Sequence, residues 1–411
     1  MTYGVNLVPD LKNGMEKGGN AMADLMYIYP DFLMEFRCIG PECMNTCCEG
    51  WDVRVDEDTA EYYEHLNGTF GDFLRQHLVR DEVTNKITSI RMEEGNRCPF
   101  LNEEGLCIIQ LECGSEHLGQ ICQNYPRYEH GGKNVSLIVV LTSCDAVLDI
   151  LYNRTQPVCL CTAGQNEVDL TAAIDHKALE LSHLISWGME LLQNESVPLG
   201  TAVATVLYVE QECEMPFKKN DFKAIDAILC QASDIQAQFL QTKQELDPKE
   251  TKKAAWRFIV GVVEAFCQII TEKINDPRLE KLLWKAEMSA WSDEEKRSYM
   301  YPRWQENRKN RQHMSFMRRL SAVCFLYYSS GYLASQFITN MCIRMILFEI
   351  LPLTWEGLED LSRREYLTRL SFLSRWFEQK SVLDDSLQSV LNDVFSPDFY
   401  TYVIALMELY G

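Results

Sequence analysis

The chain has 411 residues, 46% of them hydrophobic, enough for a substantial core, which excludes a miniature fold dependent on covalent staples. Asp and Glu number 60 against 39 Lys and Arg, and the formal charge of −21 argues against a broad nucleic-acid surface, because phosphate binding needs the opposite sign. The plain reading of that acidity is a well-solvated surface.

The first twenty residues, MTYGVNLVPDLKNGMEKGGN, hold no apolar run behind a basic start. No secretory signal is expected, and the expected compartment is the reducing cytoplasm, where disulfides are disfavoured. WDVRVD predicts a short alternating strand from Trp51 to Val55, and Asp56 then predicts the cap of a helix over DEDTAEYYEHL. KNVSLIVVLTSC predicts a strand that runs into Cys144. This part of the chain reads as loops pinned around a site.

From about residue 166 the apolar spacing turns to three and four. Leu170, Ile174, Leu181, Leu184 and Ile185 are expected to share one helical face. Further helices are expected over SVPLGTAVATVLYVEQE, with Pro198 in the first turn, and over DFKAIDAILCQASDIQAQFL and TKKAAWRFIVGVVEAFCQIITEK. NRQHMSFMRRLSAVCFLYYSS, LSRREYLTRLSFLSRWFEQ and PDFYTYVIALMELY continue the pattern. The expected fold is mainly α: an irregular, cysteine-rich, metal-binding N-terminal module with short strands (residues 1–160), followed by an all-helical domain (residues 161–411). Residues 320–343 carry no charge for 24 positions. Ser321, Ser329, Ser330, Ser335, Gln336, Thr339 and Asn340 mark that stretch as a buried helix of a soluble core, without stable membrane insertion.

The cysteines are unevenly spread: eleven of the sixteen lie in residues 1–161. Cys213, Cys230, Cys267, Cys324 and Cys342 fall in apolar helical patterns and are expected to be buried free thiols. Cys38, Cys43, Cys47 and Cys48 form C-x4-C-x3-C-C; Cys98 and Cys107 form C-x8-C; Cys113, Cys122 and Cys144 follow. Thiolates suit zinc or an iron–sulfur centre, and loops between clusters let distant ligands converge. Buried free or bridged thiols are the alternative. The spacing is neither the C-x2-C of zinc ribbons nor the C-x2-C-x2-C run of bacterial ferredoxins. No G-x-G-x-x-G, G-x4-G-K-[ST] or H-E-x-x-H is present. His65, His77, His117 and His130 show no ligand-like spacing and read as surface or packing residues. In CQNYPRY, Pro126 fixes a turn, and Arg127 suits either an anion or the module's own acids.

Taken together, YPDFLMEFRCIGPECMNTCCEGWDVRVDEDT, CPFLNEEGLCIIQ, LGQICQNYPR and SLIVVLTSC resemble the flagellin lysine N-methylase (FliB) family, which shares a cysteine-cluster module with YkgJ-like zinc- or iron-chelating proteins. The resemblance covers roughly residues 27–145. It implies a protein-lysine N-methyltransferase that uses S-adenosyl-L-methionine, acts on flagellin or another lysine-bearing protein, and holds a [4Fe–4S] cluster, with zinc as the alternative. By the resemblance, metal ligands are drawn from Cys38, Cys43, Cys47, Cys48, Cys98, Cys107, Cys122 and Cys144. Tyr125 and Arg127 fall on the family's YPR element and are expected at the cofactor. The catalytic residues are not indicated. Asp145 stands where the family often carries a proline, and Cys113 lies outside the pattern and is taken as non-ligating. Two rival functions stay open at the level of sequence: a non-catalytic iron- or zinc-chelating protein, and an unrelated iron–sulfur redox enzyme.

Overall fold

The computed structural model describes residues 26–410 except 51, 95–96, 132–134, 164–175, 274–287, 289, 331–334, 356–360, 380 and 396. Strand β1 (Met26–Pro30) opens the described chain and is followed by helices α1 (Glu57–His65) and α2 (Gly68–Gln76). Asp56 caps α1 as its sequence position predicts, its carboxylate accepting from the Thr59 amide. The same carboxylate accepts from the Gln120 amide at 2.8 Å, which ties this helix start to a second one. Val53–Val55 does not form the expected strand. It lies instead along one edge of β3 (Ile87–Ile90) as a single bridge, Arg54 opposite Ser89, with the Val55 amide donating to the Thr88 carbonyl at 3.0 Å and the Ile90 amide to the Val53 carbonyl at 2.9 Å, while β2 (Leu78–Arg80) pairs with β3 on its other edge.

Short helices α3 (Ile108–Cys113) and α4 (Gln120–Asn124) lead to β4 (Arg127–Gly131) and β5 (Val135–Val140). Helix α5 (Asp145–Asn153) and strand β6 (Leu160–Ala163) follow. The four-stranded sheet has the order β4-β5-β1-β6. β1 runs parallel to β5, with Ile28 opposite Leu137, and antiparallel to β6, with Tyr29 opposite Cys161. β5 is buried at every position, Ser136 included, as a strand covered on both faces requires.

The rest is helical: α6 (His176–Gln193), α7 (Leu199–Lys218), α8 (Phe222–Cys230), α9 (Ala232–Glu245), α10 (Pro248–Lys273), α11 (Asp293–Lys309), α12 (Arg311–Ser329), α13 (Ser335–Ile350), α14 (Arg363–Gln379), α15 (Ser381–Phe395) and α16 (Phe399–Tyr410). The fold is mainly α with a few short strands, as the apolar spacing predicts. Leu181, Leu184 and Ile185 are buried together on α6; Leu170 and Ile174 lie outside the described residues. Helix α11 has too few apolar residues for spacing to reveal it, but Ser292 and Glu295 form a reciprocal capping box at its start. The uncharged stretch 320–343 is not one helix: α12 ends at Ser329 and α13 begins at Ser335. Its described residues on α12 are buried from Leu320 to Leu326. Among the described residues one helix, Pro248–Thr271, is long and apolar enough to cross a membrane, and 72% of its apolar window is buried in the protein. Of the five later cysteines, Cys213, Cys267, Cys324 and Cys342 are buried as expected, whereas Cys230, in the last turn of α8, is exposed.

Two hydrophobic clusters organise the molecule. The larger contains β1, β5 and α5 residues (Ile28, Leu137, Val147) together with the helical half through Tyr410. Helices α6 and α12 lie on β5, and α12 and α14 lie on α5. The smaller cluster gathers Val53, Val55, Tyr63, Leu74, Ile90, Cys98, Phe100 and Ile109.

Two positions test this packing. Helix α7 meets α16 backbone to backbone at Gly200, where an added Cβ would stand 2.5 Å from the Leu406 carbonyl oxygen and 2.7 Å from Met407 Cα. Gly200→Ala is therefore expected to destabilise the fold by about 1–3 kcal/mol in denaturant titration, since backbone cannot rotate aside. Glu210 on α7 is buried, and burial pushes its carboxyl up to about 7 from an ordinary 4.5. Between those values the folded chain holds a proton that the unfolded chain has released. Glu210 thus contributes stability that is fully present below about pH 4.5 and is lost as pH rises through about 7. Subtracting the stability of Glu210→Gln from that of the wild type, pH by pH, should give a difference that falls across this window.

Candidate functional site

The seam between the two hydrophobic clusters holds a cavity of about 160 Å³. Its wall contains Cys38, Cys43, Cys47, Cys48, Cys98, Cys107, Cys122 and Cys144, all eight of the cysteines expected to supply ligands. Cys113, at the end of α3, packs on the smaller cluster instead and is absent from the wall. His65, His77, His117 and His130 are absent from it too. His117 stacks on Tyr62 at 3.8 Å, and His65 and His77 each engage the carbonyl four residues earlier.

Local structure explains how each thiol arrives. Gly40, at φ +54°, starts the turn of 3-10 helix that delivers Cys43 at its end. The Cys98 amide donates to the Cys48 carbonyl at 2.8 Å, joining the first cysteine loop to the second. Cys107 and Cys144 occupy the capping positions before α3 and α5, and Cys122 sits on α4. The cavity is as large as one that admits a benzene ring, so it has room for a small inorganic group.

The thiols differ electrostatically. Burial pushes Cys43 and Cys98 up to about 12 and Cys107 up to about 11. Burial likewise holds Cys122 and Cys144 well above the ordinary thiol range. Cys48 is drawn down to about 7, first by the hydrogen bond from the Cys47 thiol, with Thr46 and the Arg375 charge assisting against burial. Cys47 moves the opposite way through the same hydrogen bond. Most of these groups are therefore neutral thiols at pH 7, and a bound cation would have to displace their protons. In kind and number the donors fit a soft metal. They are not pre-arrayed for one: among the described residues no three His, Cys, Asp or Glu side chains are placed to hold a metal ion.

Tyr125 lines the cavity, and its hydroxyl lies 3.1 Å from Ser143 Oγ. The Tyr125–Pro126 peptide bond is cis. Arg127 lies outside the wall, and its guanidinium donates to the carbonyls of Asn124 (3.1 Å) and Gln123 (2.7 Å) at the end of α4. A second, larger cavity of about 330 Å³ lies among α7, α9 and α16 and contains none of the expected site residues.

The residues that hold the thiol cavity in place come largely from α14, which the sequence reading treats only as a packed helix. Arg364, Thr368, Ser371, Arg375 and Glu378 recur at four and three residues and so face one way. Arg364 donates to the Glu42 carbonyl. Thr368 (3.0 Å) and Ser371 donate to the Asp145 carboxylate, which also accepts from the amides of Met44 and Asn45, both at 3.1 Å. Arg375 donates to the carbonyls of Asn45 (3.0 Å), Thr46 (2.8 Å) and Glu49 (2.8 Å). Glu378 accepts from the amides of Thr142 and Ser143, both at 2.9 Å, and pairs with fully buried Arg344. Polar side chains recurring at four and three residues along this helix were the available signal.

The chain is similar to three curated proteins from Salmonella. It is 26% identical over 142 residues to "Lysine-N-methylase" of Salmonella typhimurium, covering 34% of this chain and 35% of that protein. The Salmonella choleraesuis "Lysine-N-methylase" matches to the same extent, 26% over 142 residues. "Flagellar biosynthetic protein FliU" of Salmonella muenchen is 25% identical over 142 residues, 34% of this chain and 84% of that protein. The match thus spans about a third of the length of the two lysine-N-methylases. No family model matches the chain, and no solved structure matches it.

Asp145→Ala should strand the Met44 and Asn45 amides and the Thr368 hydroxyl, while the Ser371 hydroxyl keeps the Thr368 carbonyl as an acceptor at 2.9 Å. Each buried orphan costs about 1–3 kcal/mol, so a loss of about 3 kcal/mol or more is expected in denaturant titration. Alkylation of the cavity cysteines under native conditions should quicken in parallel.

Proposed function

We propose that this chain is a protein-lysine N-methyltransferase that takes its methyl group from S-adenosyl-L-methionine, acts on flagellin, and holds an iron–sulfur cluster in the thiol cavity. The methyl-transfer reading is supported by the similarity to curated lysine-N-methylases. The metal reading is carried by one observation, the convergence of eight cysteines from separate stretches of chain on one cavity.

The reaction asks for an uncharged lysine ε-amine. Its lone pair forms the N–C bond as the S–C bond breaks, S-adenosylhomocysteine leaves, and the nitrogen sheds a proton. A free lysine titrates near 10.4, so the site must favour the neutral amine, which desolvation at an apolar entrance does. Alignment of nitrogen, methyl carbon and sulfur is the larger demand, since in-line attack tolerates little misplacement. Four of the eight cysteines would hold the cluster, with the others packed around them. When bound, a cluster supplies an anchoring point for the loops and an electron reservoir. The chain's own residues fix those loops through Asp145, Arg375 and Glu378. Tyr125 at the wall and Arg127 at the end of α4 are the proposed donor-binding pair.

Anaerobically isolated protein is expected to contain iron and acid-labile sulfide, and the loaded protein to transfer label from labelled S-adenosylmethionine to flagellin lysines. Cys43→Ser and Cys122→Ser should remove both cluster and transfer, because a hard hydroxyl replaces a soft ligand poorly. Zinc alone, without donor binding or transfer, would overturn the reading in favour of a metal-handling protein. Arg127→Lys separates two roles. If the guanidinium grips the donor carboxylate, donor affinity falls while the cluster is retained; if it serves only the end of α4, stability falls and donor affinity stays at the wild-type value.

A further inference from the structure

Arg375 is 4% exposed, so its charge is buried. Its two terminal nitrogens reach three backbone carbonyls, those of Asn45, Thr46 and Glu49, and its Nε–H has no partner. No carboxylate pairs with it among the described residues. The nearby acids are engaged elsewhere: Asp145 with Met44, Asn45, Thr368 and Ser371, Glu378 with Arg344, Glu49 with Arg97. A buried charge without an opposite charge costs several kcal/mol.

Arg318 shows what a purely structural arrangement of this kind looks like. It also donates to three carbonyls, those of Leu192, Asn194 and Val197, but these lie at or just beyond the C-terminal end of α6, where the helix dipole supplies the negative end. The acceptors of Arg375 belong to an irregular loop, and they bracket Cys47 and Cys48, both of which line the thiol cavity. The negative charge that Arg375 lacks is the charge that cavity acquires when its thiols become metal-bound thiolates.

We propose that Arg375 is a positioning residue of the thiol cavity whose fixed positive charge offsets the negative charge of a thiolate-bound metal centre. This rests on the metal half of the function proposed above. It separates two roles of one side chain: the fork that shapes the 45–49 loop, and the charge that favours thiolate ligation. A lysine keeps the charge and loses the fork; a glutamine loses the charge and keeps a planar donor.

The test uses the full chain, stripped of metal and titrated anaerobically with Co²⁺, followed through its thiolate-to-cobalt charge-transfer absorbance. Arg375→Gln is expected to weaken cobalt binding by about 10–100-fold, the usual effect of losing an outer-shell partner, and Arg375→Lys to stay within about fivefold of wild type. In protein reconstituted with iron and sulfide, Arg375→Gln should lower the reduction potential, because a nearby cation favours the more negative reduced state, and Arg375→Lys should hold it. Equal losses in both variants, or no loss in Arg375→Gln, overturn the proposal and leave the metal reading standing. Failure of the wild type to take up cobalt or cluster overturns the metal reading and this inference together. Should Arg375→Gln not fold, the cobalt-induced rise in Tm decides: it must persist in Arg375→Lys, and its disappearance there overturns the proposal.

Discussion

The polar face of α14 is the constraint on which the site depends. Arg364, Arg375 and Glu378 of one helix bind the backbone of two loops, residues 42–49 and 142–145, Thr368 and Ser371 bind the Asp145 carboxylate, and those loops carry Cys43, Cys47, Cys48 and Cys144. Loops of this kind have no ladder to satisfy their amides and carbonyls, and burying them unpaired is costly. Asp145 and Arg375 supply the missing partners, one accepting from amides and the other donating to carbonyls. The loop is therefore held by charge-assisted hydrogen bonds, which are stronger and shorter than neutral ones.

This explains why the cavity lies where it does. Two hydrophobic clusters, one shared by sheet and helices and the other built on α1, α2 and the β2–β3 ribbon, meet without merging. A gap between well-packed cores is expensive when lined by hydrocarbon, because the lining atoms lose contacts. Here eight cysteines share the lining with apolar side chains, and its loops are pinned from the α14 side by Asp145 and Arg375 and from the α1 side by Asp56. The apolar wall also sets the chemistry: it disfavours thiolates until a cation arrives, which couples metal loading to proton release.

The helical half thus does more than fill volume. It contributes the anchoring helix, the buried Arg344 that pairs with Glu378, and helices α6 and α12 that cover β5, the strand that runs toward Cys144. A change on α14 is transmitted to the cysteine loops through hydrogen bonds rather than through general loosening. That distinction separates Asp145 and Arg375 from core positions such as Gly200, where the effect is steric and remote from the thiols.

By itself the sequence determined whatever depends on near neighbours. Apolar spacing of three and four marked most of the helices from α6 onward though not α11, Asp56 marked the start of α1, and a mostly apolar run marked β5, because each is a local matter of periodicity or capping. The unusual density of cysteines marked the site, and all eight of the named thiols do share one cavity. Local signals failed where partners were non-local. The alternation at 53–55 was realised only as a single bridge against the edge of β3, and the uncharged 320–343 stretch concealed a helix end at Ser329. Tertiary structure alone decided that residues 375 and 45 are partners 330 positions apart, and that Asp145, which the sequence presents only as the residue after a cysteine, ties the first cysteine loop to α14. Hydrogen bonds between such distant groups leave no trace in the sequence beyond polar residues at helical spacing, so their meaning exists only once the chain has folded.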